Sequence, residues 1–190
     1  PIFCMARIKV IKYDEATGRL KDIYDQLIKS RGKLADVHSI QSLRPESIVK
    51  HIDLYMEIMF SKSELSRADR EMMAVIVSAA NNCEYCQVHH AEALNNYWKD
   101  DQKVATLRQD FRQVELTERE LMLCEFAESL TINPGLSNEI DQTKLLREVG
   151  LSDNGILDAT LVVAYFNFVN RIVLSLKVEI ESDSGTGYKY

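Results

Sequence analysis

Glycine and proline are scarce, at 7 and 3 in 190 residues. A fold of many short strands needs more turn-formers than that, which leaves long helices as the alternative. A positive surplus is missing too. Lys and Arg total 23 against 29 Asp and Glu, a formal charge of −6, so no basic excess exists to neutralise phosphates or anionic lipid. Nucleic acid and membrane surfaces are therefore not expected as partners. The longest uncharged apolar stretch, 159–170, is interrupted by Asn167 and falls short of the roughly 20 residues of a membrane span. Residues 1–7 lack the basic-then-apolar order of a signal peptide, and Met5 reads as a candidate start. The expectation is a cytoplasmic, reducing location, where four cysteines need not pair as structural disulfides. What is present is ordinary globular usage, 46% hydrophobic and 27% charged, in a chain long enough to bury a core.

Apolar residues recur at helical spacing along the chain. Ala16, Leu20, Ile23, Tyr24, Leu27 and Ile28 predict a helix over 14–30 with Gly32 as its stop. Pro45 suits the first turn of a second helix, and Ser66-Arg67-Ala68-Asp69 resembles a capping box opening a third that is apolar enough to be buried. Asn81-Asn82 break the pattern, and a fourth helix runs from near Cys83 to Trp98. Val104 to Val114 predicts a fifth, the capping box at Thr117 a sixth, 138–149 a short seventh, and Ser152 to Ile180 a long last one. The expected architecture is a single all-α domain of seven or eight helices over 1–181, followed by a disordered tail at 182–190.

Chemistry concentrates in Cys83-Glu84-Tyr85-Cys86-Gln87-Val88-His89-His90. At ~100° per residue, His90 falls about 20° from Cys83 and about 40° from Cys86, so one helix face carries two thiols and an imidazole. The thiols sit at the helix N-terminus, where unpaired N–H groups favour a thiolate. If Asn81-Asn82 reverse the chain into a hairpin, counting outward from the break sets Glu71 opposite His90. Glu71 then orients His90, and His90 takes a proton from Cys86, the base-plus-orienter arrangement of an activated nucleophile. Proximity to His90 favours Cys86 as the reactive thiol; Cys83 is expected to be the more exposed, resolving one.

Glu71, then Cys83-x-x-Cys86 and His90, together resemble the active-site motif of the alkyl hydroperoxidase D family, within the carboxymuconolactone decarboxylase-like all-α superfamily. Ser66 to Glu71 and Tyr165-Phe166-Asn167-Phe168-Val169-Asn170-Arg171 resemble its peroxidase-related branch, over about 7–180 of the chain. The resemblance implies an enzyme that reduces hydroperoxides through a Cys83–Cys86 redox disulfide, regenerated by an external dithiol or thioredoxin-like reductant. It implies Glu71, Cys83, Cys86 and His90 as catalytic residues, no metal or other cofactor, and a homo-oligomer. One departure stands out: well-known members carry a second relay histidine where this chain has Tyr85. A phenol with a pKa near ~10 accepts protons poorly at neutral pH, so relay there would go through its hydroxyl and a water. The alternatives are a peroxide sensor or disulfide reductase without efficient peroxide turnover, and a lactone decarboxylase-like enzyme, which is expected to lack the dithiol.

The other singular residues have plain readings. Cys4 and Cys124 read as core thiols. A zinc site at Cys83, Cys86 and a histidine is short of the four ligands a structural site takes. His89 points away from His90 and reads as a surface or interface residue, and His38 and His51 lie outside any cluster. Asn167, Asn170 and Arg171 interrupt an apolar helix and are either satisfied by buried hydrogen bonds or placed at a subunit interface.

Overall fold

In a computed structural model of the chain, which describes residues 6–181, every regular element is helical. Cys4, the candidate start at Met5 and the expected tail at 182–190 lie outside the described residues. Nine α-helices occur among those described: α1 (Gly18–Arg31), α2 (Asp36–Ser39), α3 (Pro45–Phe60), α4 (Arg67–Ala80), α5 (Glu84–Trp98), α6 (Asp101–Gln109), α7 (Glu118–Ile132), α8 (Thr143–Glu148) and α9 (Asp153–Leu176). The helix beyond the expected seven or eight is α2, whose four residues are too short for a 3.6-residue period to register.

The strongest punctuation in the sequence acts as its chemistry requires. Gly32 ends α1 in the left-handed region at φ 89°, Pro45 occupies the first turn of α3, and Ser66 and Thr117 form reciprocal capping boxes with Asp69 and Glu120. Four boundaries differ from expectation. Helix α1 begins at Gly18 rather than at 14, because residues 13–15 form a turn and Thr17 is extended. The 104–114 helix is two pieces, because Asp110 adopts an extended backbone between α6 and a 3-10 turn at Phe111–Gln113, and its side chain accepts from Arg112 N–H. Only Thr143–Glu148 of the 138–149 segment is α-helical, after a 3-10 turn at Pro134–Asn138. The last helix ends at Leu176 rather than Ile180, where Lys177 turns left-handed at φ 58°.

Helix α4 is central. Every residue from Asp69 to Ser78 is buried, as befits a helix enclosed on all sides, and α5, α7 and α9 pack around it. A smaller cluster joins Leu20, Ile23, Tyr24 and Leu27 of α1 to Ile48 of α3. Although no uncharged run reaches a membrane-spanning length, α9 as a whole is long and apolar enough to do so. In this fold it is a core helix, burying Val162, Val163, Phe166 and Val173 against its neighbours.

Helices α4 and α5 form the antiparallel hairpin expected at Asn81-Asn82. Asn82 takes φ 54°, a conformation asparagine tolerates better than most side chains, and Cys83 N–H donates to the Ser78 carbonyl at 2.8 Å. The turn is tied to α9. Asn81 Nδ2 donates to Asn167 Oδ1 at 3.1 Å and to Asn170 Oδ1 at 3.0 Å; Asn170 Nδ2 donates to Ser78 Oγ at 3.2 Å. Of the two readings of these asparagines, buried hydrogen bonding is the one observed.

Candidate dithiol site

The hairpin brings Glu71 of α4 against His90 of α5, with Oε2 accepting from Nδ1 at 2.6 Å. A third member was missed. Arg67, one turn before Glu71, donates to Oε1 through Nε at 2.9 Å and through Nη2 at 2.5 Å. Its guanidinium also donates to the Met59 carbonyl and to Tyr55 Oη and lies over the Phe60 ring, 3.6 Å from its centroid. Burial works to raise the Glu71 carboxyl; the charge and hydrogen bond of His90, then those of Arg67, outweigh it and hold the pKa below the usual value. An ionised Glu71 accepts from Nδ1–H, so a neutral His90 keeps Nε2 as its acceptor atom. The i,i+4 spacing of Arg67 and Glu71 was legible in the sequence.

Cys83 is the N-cap residue of α5 and Cys86 lies in its first turn. The two thiols are neighbours whose interaction shifts both, and Asn170 adjoins Cys86. The Cys86 side chain and backbone N–H both favour a thiolate on Cys83 and lower its pKa, whereas Cys86, as donor and buried, is raised. Two expectations are corrected here. Cys83 is not the more exposed sulfur, since it is wholly buried and Cys86 is 2% exposed; packing of α9 over the helix end removes the access that a bare N-terminus would have. Nor does His90 take a hydrogen bond from Cys86: among the described residues its polar partner is Glu71. Cys124 is a core thiol, as expected.

Cys86 and His90 border a cavity of about 80 Å³ walled by Tyr55, Tyr165, Phe166 and Val169. His38, His51 and His89 line it too, so all four histidines of the chain meet there. The readings of His38 and His51 as lying outside any cluster, and of His89 as a surface residue, are thus corrected. His51 comes from α3, and long-range packing carries no signal in sequence spacing. Burial pushes His51 down to about 4 and, with the charges of His51 and Arg31, His38 down to about 3.

Tyr85 belongs to a different network from Glu71. Its hydroxyl donates to Glu181 Oε1 at 2.8 Å and its ring stacks on His89, with centroids 4.2 Å apart. Glu181 Oε1 also accepts from Asp36 N–H at 3.1 Å, while Oε2 stands 2.9 Å from His89 Nε2. Residues 177–181 therefore run as a strap beside Cys83 and Tyr85, with Val178 and Ile180 against the core. Burial alone would raise the Glu181 carboxyl, but the hydrogen bond and charge of His89 and the Asp36 amide hold it at about 2. A carboxyl depressed in the folded state stabilises above its unfolded pKa, and the effect fades as pH falls through the folded one. The stability advantage of the wild type over Glu181→Gln is thus expected to be in place at about pH 4.5 and to shrink toward pH 2. Urea denaturation at a series of pH values measures it; a difference that does not change over that window refutes the strap ion pair.

Among the described residues, no group of three or more His, Cys, Asp and Glu side chains is arranged to hold a metal ion.

Comparison with known proteins extends these observations. No curated protein matches the chain. A peroxidase-related protein from Silicibacter sp. TM1040 has the same fold with a TM-score of 0.84, at 24% identity over 100% of both chains. An alkylhydroperoxidase AhpD core protein from Ralstonia eutropha JMP134 superimposes at 0.83, with 21% identity over 95% of each chain. A cysteine-to-alanine variant of the debrominase Bmp8, in complex with 2,3,4-tribromopyrrole, superimposes at 0.77 with 18% identity over 94% of this chain and 93% of that one. Residues 48–112, which include Arg67, Glu71, Cys83, Cys86 and His90, match the carboxymuconolactone decarboxylase family. The chain thus has the AhpD-like helical fold, and the segment that carries Glu71, Cys83, Cys86 and His90 is similar to the carboxymuconolactone decarboxylase family.

Proposed function

We propose that the chain is a thiol-dependent peroxidase acting through Cys83 and Cys86. The observation that carries this reading is a pair of thiols at the N-cap and first turn of a helix, whose Cys86 borders the same small, largely apolar cavity as the Glu71-bound His90. Although the resting pair favours the thiolate on Cys83, Cys86 is the sulfur that borders the cavity; on giving up its proton it attacks the peroxide O–O bond, releasing ROH and leaving a sulfenic acid. Cys83 attacks that sulfur, water departs, and a disulfide forms; overall, dithiol plus ROOH gives disulfide, ROH and water. Glu71 fixes the tautomer and orientation of His90, and His90 Nε2 exchanges protons with the cavity through a water or a substrate oxygen. Tyr85, its hydroxyl engaged with Glu181, positions the strap rather than relaying protons.

An external dithiol or thioredoxin-like protein then reduces the disulfide by exchange. The disulfide is the redox group and no metal or other cofactor enters the cycle. A reducing cytoplasmic setting belongs to this reading, in keeping with free thiols at Cys83, Cys86 and Cys124. So does a homo-oligomer: Leu157, Leu161 and Phe168 are exposed in a line along α9, an apolar stripe suited to a second copy. The domain assignment is 1–181.

The test is intact-mass analysis after one equivalent of an organic hydroperoxide, on the wild type and on Cys83→Ser and Cys86→Ser. The expected result is loss of two hydrogens in the wild type and a trappable sulfenic acid only in Cys83→Ser. Unmodified thiols with peroxide persisting would sink the proposal. A single stoichiometric oxidation without turnover under excess dithiol would make the pair a sensor, and activity surviving in Cys83→Ser/Cys86→Ser would return the decarboxylase-like reading to first place.

A further inference from the structure

The cavity also holds a proton donor, whose role rests on the peroxidase reading above. Gln41 Nε2 donates to the Val37 carbonyl at 2.9 Å and lies 2.7 Å from His51 Nδ1. The amide cannot be turned round, because its oxygen would then face the Val37 carbonyl oxygen. One amide hydrogen therefore goes to Val37 and the other to His51 Nδ1, which makes Nδ1 an acceptor. His51 is 4% exposed and burial keeps it neutral, so its single ring proton sits on Nε2. Nε2 stands 2.8 Å from Tyr165 Oη, hence the imidazole donates and the phenol oxygen accepts. The phenolic hydrogen is left unspent: among the described residues the Tyr165 hydroxyl makes no other hydrogen bond. Tyr165 is 5% exposed and lines the cavity alongside Cys86 and His90. Burial, then charge on Tyr55 and Cys86, raise its pKa well above the usual value, which keeps the proton in place until a strong acceptor arrives.

We propose that Tyr165 donates its hydroxyl proton to the oxygen that leaves when the Cys86 sulfur attacks a peroxide, with His51 as the positioning residue that aims it. In this step the sulfur electron pair forms the S–O bond, the O–O bond breaks, and the departing RO⁻ takes the Tyr165 proton to leave as ROH. The proton given up by the Cys86 thiol makes good the one Tyr165 loses. Such help matters because the departing oxygen is about as basic as hydroxide, whose conjugate acid has a pKa of about 15.7. A donor prearranged in a nearly dry site stabilises that charge as it develops.

The experiment follows the rate of Cys83–Cys86 disulfide formation in the reduced full chain, with tert-butyl hydroperoxide and with peracetic acid. Iodoacetamide alkylation serves as a third reaction. Tert-butoxide needs a proton; acetate and iodide leave without one. Tyr165→Phe is expected to slow the hydroperoxide reaction by about 100-fold and to leave the other two within about twofold. His51→Ala should slow it in the same selective way, and His51→Gln, whose amide nitrogen takes the place of Nε2, should restore most of the rate. Equal slowing by all three reagents would show that Tyr165 is merely structural and overturn the inference. So would an undiminished hydroperoxide rate in Tyr165→Phe while the wild type reacts. If the wild type is alkylated by iodoacetamide yet inert to both oxidants, the peroxidase reading itself falls.

Discussion

Glu71→Gln is expected to lower the unfolding free energy by about 3–5 kcal/mol and to slow peroxide-driven disulfide formation by about 100-fold. The substitution keeps the shape and removes the charge. Glu71 is completely buried and the side chain of Arg67 only 13% exposed, so the guanidinium is left without its carboxylate, and the neutral Tyr55 Oη and Met59 carbonyl do not compensate it. His90 loses the acceptor that fixes its tautomer. The two losses are separable. In Arg67→Met/Glu71→Gln no buried charge is stranded, and most of the stability should return while the rate stays low. Urea midpoints at constant slope measure the first quantity and stopped-flow oxidation the second. A stability loss under about 1 kcal/mol in the single variant would mean that the pair behaves as an exposed ion pair.

The second large effect belongs to the hairpin. Asn170→Ala is expected to cost about 2–4 kcal/mol, because it deprives Ser78 Oγ and Asn81 Nδ2 of a partner and leaves a void between α4 and α9. Asn170→Leu, which fills the void and leaves the same groups unpaired, separates the two contributions: a cost close to that of alanine means that the polar loss dominates. Hydrogen exchange at the Cys83 amide, bonded to the Ser78 carbonyl in this turn, should accelerate in both variants. Undisturbed protection there would mean that α9 does not pin the turn.

These effects trace back to features that were visible in the sequence to very different degrees. The Glu71–His90 pairing was legible because a helical hairpin is a counting problem once its reversal at Asn81-Asn82 is recognised. The capping boxes at Ser66 and Thr117 were legible because both partners lie within one turn. His51, Tyr165 and Gln41 were not, since they come together from α3, α9 and the chain between α2 and α3, and no local period encodes that meeting. The inverted exposure of Cys83 has the same origin: helix geometry places a thiol at an N-terminus but does not say that residues 173–180 will lie over it. Asn167 and Asn170 were recognisable as anomalies, and their partners Ser78 and Asn81 only from the packed fold.

The strap also sets a tempo. With Cys83 wholly buried and Cys86 only 2% exposed, a bulky thiol has no straight approach to either end of a disulfide between them. On the proposed peroxidase cycle, reductive regeneration would be a two-step process in which residues 177–181 first undock and exchange follows. When redocking outpaces exchange, the observed rate is the undocking equilibrium constant multiplied by the intrinsic exchange rate. If that cycle operates, the grip of Glu181 on His89, Tyr85 and Asp36 would throttle electron delivery: loosening it would speed recycling and equally shorten the time the oxidised form persists.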